Sequence, residues 1–124
     1  MNASQGEPRD LEKRFFAFAL RVIRLWHKLQ EKPGVTRTLS YQLLRSGTSI
    51  GTNYEESQAG QSRADFISKN LIALKEARET RYWLRRLRES ELVAPQLLAD
   101  LLDESDQLAR ILGSIVSRCR QNLH

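Results

Sequence analysis

Residues 45–87 read RSGTSIGTNYEESQAGQSRADFISKNLIALKEARETRYWLRRL, and the fold turns on how that stretch is divided. Its first part continues an apolar seam that starts upstream. Leu39, Leu43, Ser46, Ile50, Asn53 and Ser57 recur at steps of three and four, the spacing of one helix face, although half of the seam is polar. Gln58-Ala59-Gly60 closes that pattern. Ser62-Arg63-Ala64-Asp65 then has the form of a capping box with Asp in place of Glu. A second long seam follows through Phe66, Asn70, Ala73, Ala77, Thr80, Leu84 and Leu87, with Ile67, Leu71 and Leu74 beside it. A helix of about 28 residues, ~42 Å long, is expected. Gly47 and Gly51 stand one turn apart inside the preceding helix, where each costs ~1 kcal/mol against Ala. Close approach of a neighbouring helix would compensate for that cost.

Upstream, Leu11, Phe15, Phe18, Val22, Trp26 and Leu29 mark one helix face, and Phe16, Ala19, Leu20 and Ile23 widen it enough for burial against two neighbours. Asp10 is placed to cap this helix, and Lys32-Pro33-Gly34 ends it. Thr36 or Thr38 is placed to cap the next. Downstream, Glu91 to Ala94 make a turn and Pro95 suits a first helical turn. The run from Leu98 to Cys119 carries a long apolar face, with acidic residues early and Arg110, Arg118 and Arg120 late, in the order that complements the helix dipole.

No strand-like alternation, internal repeat or low-complexity tract is present. The spacing predicts helices near 10–32, 36–58, 62–90 and 95–121. That is an all-α, up-and-down antiparallel four-helix bundle over residues 10–121, with loose tails at 1–9 and 122–124. A chain of 124 residues suits one such domain.

The formal charge is +5, from 20 basic and 15 acidic side chains. This makes anionic partners reasonable without bearing on the fold. A single cysteine, Cys119, rules out an intrachain disulfide and suits a reducing compartment. The opening MNASQGEPRD has no apolar core, and the longest apolar run, Phe15 to Leu20, is far short of a membrane span. A cytoplasmic protein with no membrane role is expected.

Catalytic and metal signatures are missing. The Glu-x-x-His pairs of di-metal bundles are absent: the histidines are His27 and His124, and Arg24 stands three residues before the first. The run GTSIG lacks the Gly-Lys-Ser/Thr ending of a phosphate loop. Glu55, Glu56, Glu76 and Glu79 lie among arginines and lysines and read as salt-bridge partners before they read as acids or bases. No enzyme activity, metal or cofactor is expected.

Two groups of residues stand out as candidates. Ser46, Ser49, Ile50 and Asn53, with Ser57, form a seam that either packs helices, within the chain or between copies, or lines a pocket or channel. Helix packing is the commoner use of such groups. Residues 61–90 carry eight basic side chains against four acidic ones, and Arg78, Arg81, Arg85, Arg86 and Arg88 crowd toward the helix end beside Tyr82 and Trp83. Part of that cluster answers the helix dipole. The rest is suited to gripping nucleic-acid phosphates, with a ring for stacking.

These residues also carry a resemblance. Arg45-Ser46, Ser49-Ile50, Asn53-Tyr54-Glu55-Glu56, the run IALKEARETRYWL and the Leu108-to-Val116 pattern resemble the bacterial four-helix-bundle family first noticed as proteins encoded in intervening sequences of the large ribosomal RNA gene. The likeness covers nearly the whole chain after residue 10. It departs at Gly51 and Ser57, where other members often carry different small residues. The resemblance implies an up-and-down bundle assembled as a homopentamer around a central channel. A related branch serves as accessory proteins of diversity-generating retroelements and binds nucleic acid. It implies no catalytic residue. The leading expectation is a non-enzymatic homo-oligomer that binds RNA or DNA without sequence preference through basic helix surface. The alternative is a structural or adaptor oligomer that docks a protein partner and has no nucleic-acid role.

Overall fold

The computed structural model describes residues 8–60 and 62–121. Of the tails expected at 1–9 and 122–124, residues 1–7 and 122–124 lie outside the described residues, and residues 8 and 9 belong to the first helix instead. Four helices account for nearly all of it: α1 (Pro8–Leu29), α2 (Val35–Gln58), α3 (Arg63–Glu89) and α4 (Pro95–Gln121). No strand occurs among the described residues. Each helix packs on its neighbour in sequence, and α4 closes back on α1 through the thinnest of the four interfaces. With turns this short, successive helices run antiparallel, giving the up-and-down bundle.

The ends show which local signals act. Proline opens both α1, at Pro8, and α4, at Pro95; at a first helical position its missing N–H has no intrahelical bond to lose. Asp10 is therefore not the cap of α1. It sits inside the first turn, where its charge still suits the positive end of the dipole. The same helix stops at Leu29, earlier than expected. The amides of Gln30 and Lys32 turn back onto the carbonyls of His27 and Leu29 before Pro33 is reached.

Gly34 precedes α2 with φ 77°, a left-handed value that favours glycine. It leaves α2 without a side-chain cap, so neither Thr36 nor Thr38 caps the helix. Thr36 is buried within it, and Thr38 Oγ1 donates to the Gly34 carbonyl at 3.4 Å. Ser62 does cap α3: its hydroxyl accepts the Asp65 amide at 3.1 Å. The turn after α3 is pinned by Val93, 2 % exposed, and passes through Glu91 at φ 60°.

The core is a continuous apolar cluster drawn from all four helices, with Phe15, Phe18, Leu43, Ile50, Leu84, Leu98, Leu108 and Leu112 almost wholly out of solvent. Phe15 lies against Tyr54, ring centroids 4.8 Å apart. The face of α1 differs from the expected one by a single position: Leu25 is buried and Trp26 is half-buried. The widening residues do not find a second neighbour inside the chain. Phe16, Leu20 and Ile23 remain exposed, at 68 %, 36 % and 41 %.

The two α2 glycines are what let α1 approach. A β-carbon on Gly47 would stand 2.9 Å from Val22 Cγ2, and one on Gly51 would stand 3.0 Å from Phe15 Cβ with the Phe15 backbone just behind. Both spaces are taken within the chain, by α1.

Candidate nucleic-acid interface

The polar seam of α2 divides into a buried and a half-buried part. Ser46, Ile50 and Ser57 are in the core, and Ser49 and Asn53 sit at its edge. Most of the polar groups bond back along their own helix. Ser49 Oγ donates to the Arg45 carbonyl (2.6 Å), Asn53 Nδ2 to that of Ser49 (2.9 Å) and Ser57 Oγ to that of Tyr54 (2.6 Å). One crosses between helices: Thr80 Oγ1 of α3 donates to Ser46 Oγ at 2.9 Å, fully buried.

Beside that bond lies an ion cluster. Arg45 of α2 pairs with Glu79, and its Nη1 stands 3.7 Å from Glu76 Oε2. That distance is too long for a hydrogen bond, and Oε2 is left buried without one. Burial, then repulsion from Glu79, push the Glu76 carboxyl above its ordinary range, against the pull of Arg45 and Lys75. The basic residues nearest Glu76 and Glu79 in sequence are Lys75, Arg78 and Arg81. The partner is instead Arg45, on the preceding helix, which only the α2–α3 packing brings near. The Arg45-Ser46 pair and the run containing Glu76, Glu79 and Thr80 thus meet in one place.

The other glutamates offer little toward acid–base chemistry. Glu55 and Glu56 are exposed, and Glu56 pairs with Lys69 at 2.7 Å. His27 is exposed, and Cys119 is half-buried on α4. Among the described residues no group of three His, Cys, Asp or Glu side chains is placed to hold a metal ion, and no helix is long and apolar enough to cross a membrane.

The five arginines of α3 do not act as one patch. Arg81 reaches α4 and pairs with Asp106 at 2.9 Å, and Arg110 takes the other oxygen of the same carboxylate at 3.0 Å. Arg88 pairs with Glu89 at 2.7 Å. Arg86 lies over the Tyr82 ring, 4.3 Å from its centroid, and also donates to the Tyr82 hydroxyl. Arg78 and Arg85 are exposed and hold no ion pair among the described residues. Arg78 has company that the sequence did not reveal. It lines a shallow groove between α3 and α4 with Arg120, across from it on α4, over a floor of Leu71, Leu74, Gly113 and Val116. Gly113 helps to open that groove, since a β-carbon there would meet nothing within 4 Å. Arg120 also holds no ion pair among the described residues. The α3–α4 face therefore presents Arg78, Arg85 and Arg120 as uncompensated cations, with Arg81 and Arg110 sharing one aspartate between them.

This architecture has known counterparts. The family model of the 23S rRNA-intervening sequence protein matches residues 9–114. The chain belongs to the 23S rRNA-intervening sequence protein family. A crystal structure described as a protein of unknown function from the S23 ribosomal protein family, from Bacteroides thetaiotaomicron, is 41 % identical to it. The match covers 85 % of this chain and 96 % of that one, with a TM-score of 0.77. No curated protein matches the chain. The matched span of the 23S rRNA-intervening sequence protein family includes the Arg45–Glu76–Glu79 cluster, the Ser46–Thr80 bond and every α3 arginine discussed above.

Proposed function

We propose that this chain is a non-enzymatic, self-assembling four-helix bundle that holds RNA or DNA by its phosphates, without reading sequence, through the α3–α4 face. The observation that carries the reading is the set of uncompensated guanidinium groups there: Arg78 and Arg85 on α3 and Arg120 on α4. Arg86 over the Tyr82 ring adds a planar cation beside an exposed aromatic, a pairing that suits an unstacked base. Phosphate contacts from arginines position a nucleic acid and carry no base information, so the binding should be indifferent to sequence.

Self-assembly is supported by α1. Phe16, Leu20 and Ile23 stand at steps of four and three on one exposed face, and Tyr41 of α2 is 57 % exposed. Large apolar side chains aligned in this way mark contact surfaces more often than free ones. The ring-like pentamer implied by the family resemblance would cover that face and repeat the arginines around the ring, so that weak contacts add through effective concentration. The same apolar face would serve the alternative, an oligomer that docks a protein partner.

The test is fluorescence anisotropy with structured RNA, single-stranded DNA and duplex DNA at two salt concentrations. Similar affinities for the three, falling steeply with salt as condensed counterions are released, support the reading. Absence of binding at the lower salt sinks it in favour of the adaptor.

A further inference from the structure

A second cleft lies away from the arginine face, at the end where α1 begins and α4 finishes. It has a volume of about 620 Å³, within the range of small-molecule sites. It opens where α1 and α4 form the thinnest of the interhelix interfaces. Its walls are mixed: Leu11, Phe66, Ile111 and Ile115 are apolar, and Arg14, Arg110 and Arg118 bring positive charge. Among the described residues no acidic side chain lines it.

We propose that this cleft binds a small amphiphilic monocarboxylate, its head drawn to Arg118 and its apolar body lying along Leu11, Phe66 and Ile111. The charges favour an anion of low charge. Arg14 is paired with Glu104, with two nitrogen–oxygen contacts at 2.7 and 3.1 Å, and Arg110 shares Asp106 with Arg81. Arg118 alone of the three has no ion pair among the described residues. One free cation above an apolar wall matches a carboxylate on a hydrocarbon or ring, and matches a polyphosphate poorly.

A second, independent feature is Tyr54. The residue is 2 % exposed and lines the cleft. A phenol in the wall of a cleft can donate a hydrogen bond to a ligand oxygen. Burial, with the nearby Glu12 charge, pushes this phenol up to about 12, so it stays a neutral donor at every ordinary pH. The Glu12 charge also disfavours a ligand with more than one negative group. The proposal is independent of nucleic-acid binding, because none of the cleft residues is among the uncompensated arginines of the α3–α4 face.

The probe is sodium octanoate, titrated calorimetrically into the full chain, with 1-octanol and acetate as the headless and tailless controls. Octanoate should bind about tenfold or more tightly than either control. Arg118→Glu, at an exposed position, should weaken octanoate about tenfold with thermal melting unchanged, and Tyr54→Phe should weaken it by a smaller factor of about two to five. Octanol binding as well as octanoate, octanoate binding unaltered in Arg118→Glu, or no octanoate binding by the unmutated protein would each overturn the proposal.

Discussion

At the scale of single residues, small side chains and one buried carboxylate govern how the helices meet. Gly47 is tolerated mid-helix because Val22 occupies the space its side chain would need. Valine is stiff in a helix and cannot swing away. Gly47→Ala should therefore gain ~1 kcal/mol of helix propensity and lose about 1–3 to overpacking, for a net destabilisation read from chemical denaturation. A more stable variant would mean that α1 does not press on α2 there. Glu76 makes the complementary case. Its carboxyl is raised above 4.5, the ordinary value expected in the unfolded chain, so the folded state holds the proton more tightly. Between pH 4.5 and the higher folded value the native state binds more protons than the unfolded one, and this group's contribution to stability falls as pH rises through that window. Glu76→Gln should raise the melting temperature near neutrality and flatten its decline above pH 4.5, since Arg45 keeps Glu79 as a partner. A lower melting temperature near neutrality would show the Arg45–Glu76 attraction outweighing the burial cost.

At the scale of elements, the sequence made α2, α3 and α4 legible because their ends carry local chemistry: Gly34 with its positive φ, the Ser62 cap, and Pro95 at a first turn. Within α1 the periodicity gave the buried face to within one position, Leu25 in place of Trp26. Other features were not legible because they depend on how neighbouring helices are registered. Arg45 as the partner of Glu76 and Glu79, Arg120 facing Arg78, and the cleft built by residues from all four helices each need two or more helices placed in space. The width of the apolar face of α1 was legible, but its second half is not buried within the chain. That half yields a prediction about assembly. Leu20→Glu/Ile23→Glu places charges on the exposed face and leaves Phe15, Phe18 and Val22 in the core, so the helical content should persist. Light scattering should show the mass falling toward the 14.3 kDa of one chain. An unchanged mass above that of one chain would put the self-contact on another face, such as the α2–α3 side with Ser49 and Asn53. By contrast Ile50→Asp strikes a residue with no solvent exposure and should cost the fold itself.

At the scale of the whole molecule, some arginines are held in ion pairs and others are not. Arg14, Arg45 and Arg88 each pair with a carboxylate, and Arg81 and Arg110 share that of Asp106. The pairs of Arg14, Arg45 and Arg81 each reach a carboxylate on another helix and fasten the two together. Arg78, Arg85 and Arg120 stand on one face without an ion pair among the described residues. That division is the physical content of the proposed function, and it shifts the weight of the interface from the end of α3 toward the α3–α4 groove. The most direct test is Arg78→Glu/Arg85→Glu/Arg120→Glu, checked by light scattering to keep the mass of the unmutated protein and titrated with structured RNA, single-stranded DNA and duplex DNA at low and moderate salt. The account predicts that affinity falls about tenfold or more for all three alike and that the salt dependence flattens, by up to ~0.9 in slope for each phosphate no longer neutralised. A variant that binds all three as tightly as the unmutated protein, with the same salt slope, would contradict it.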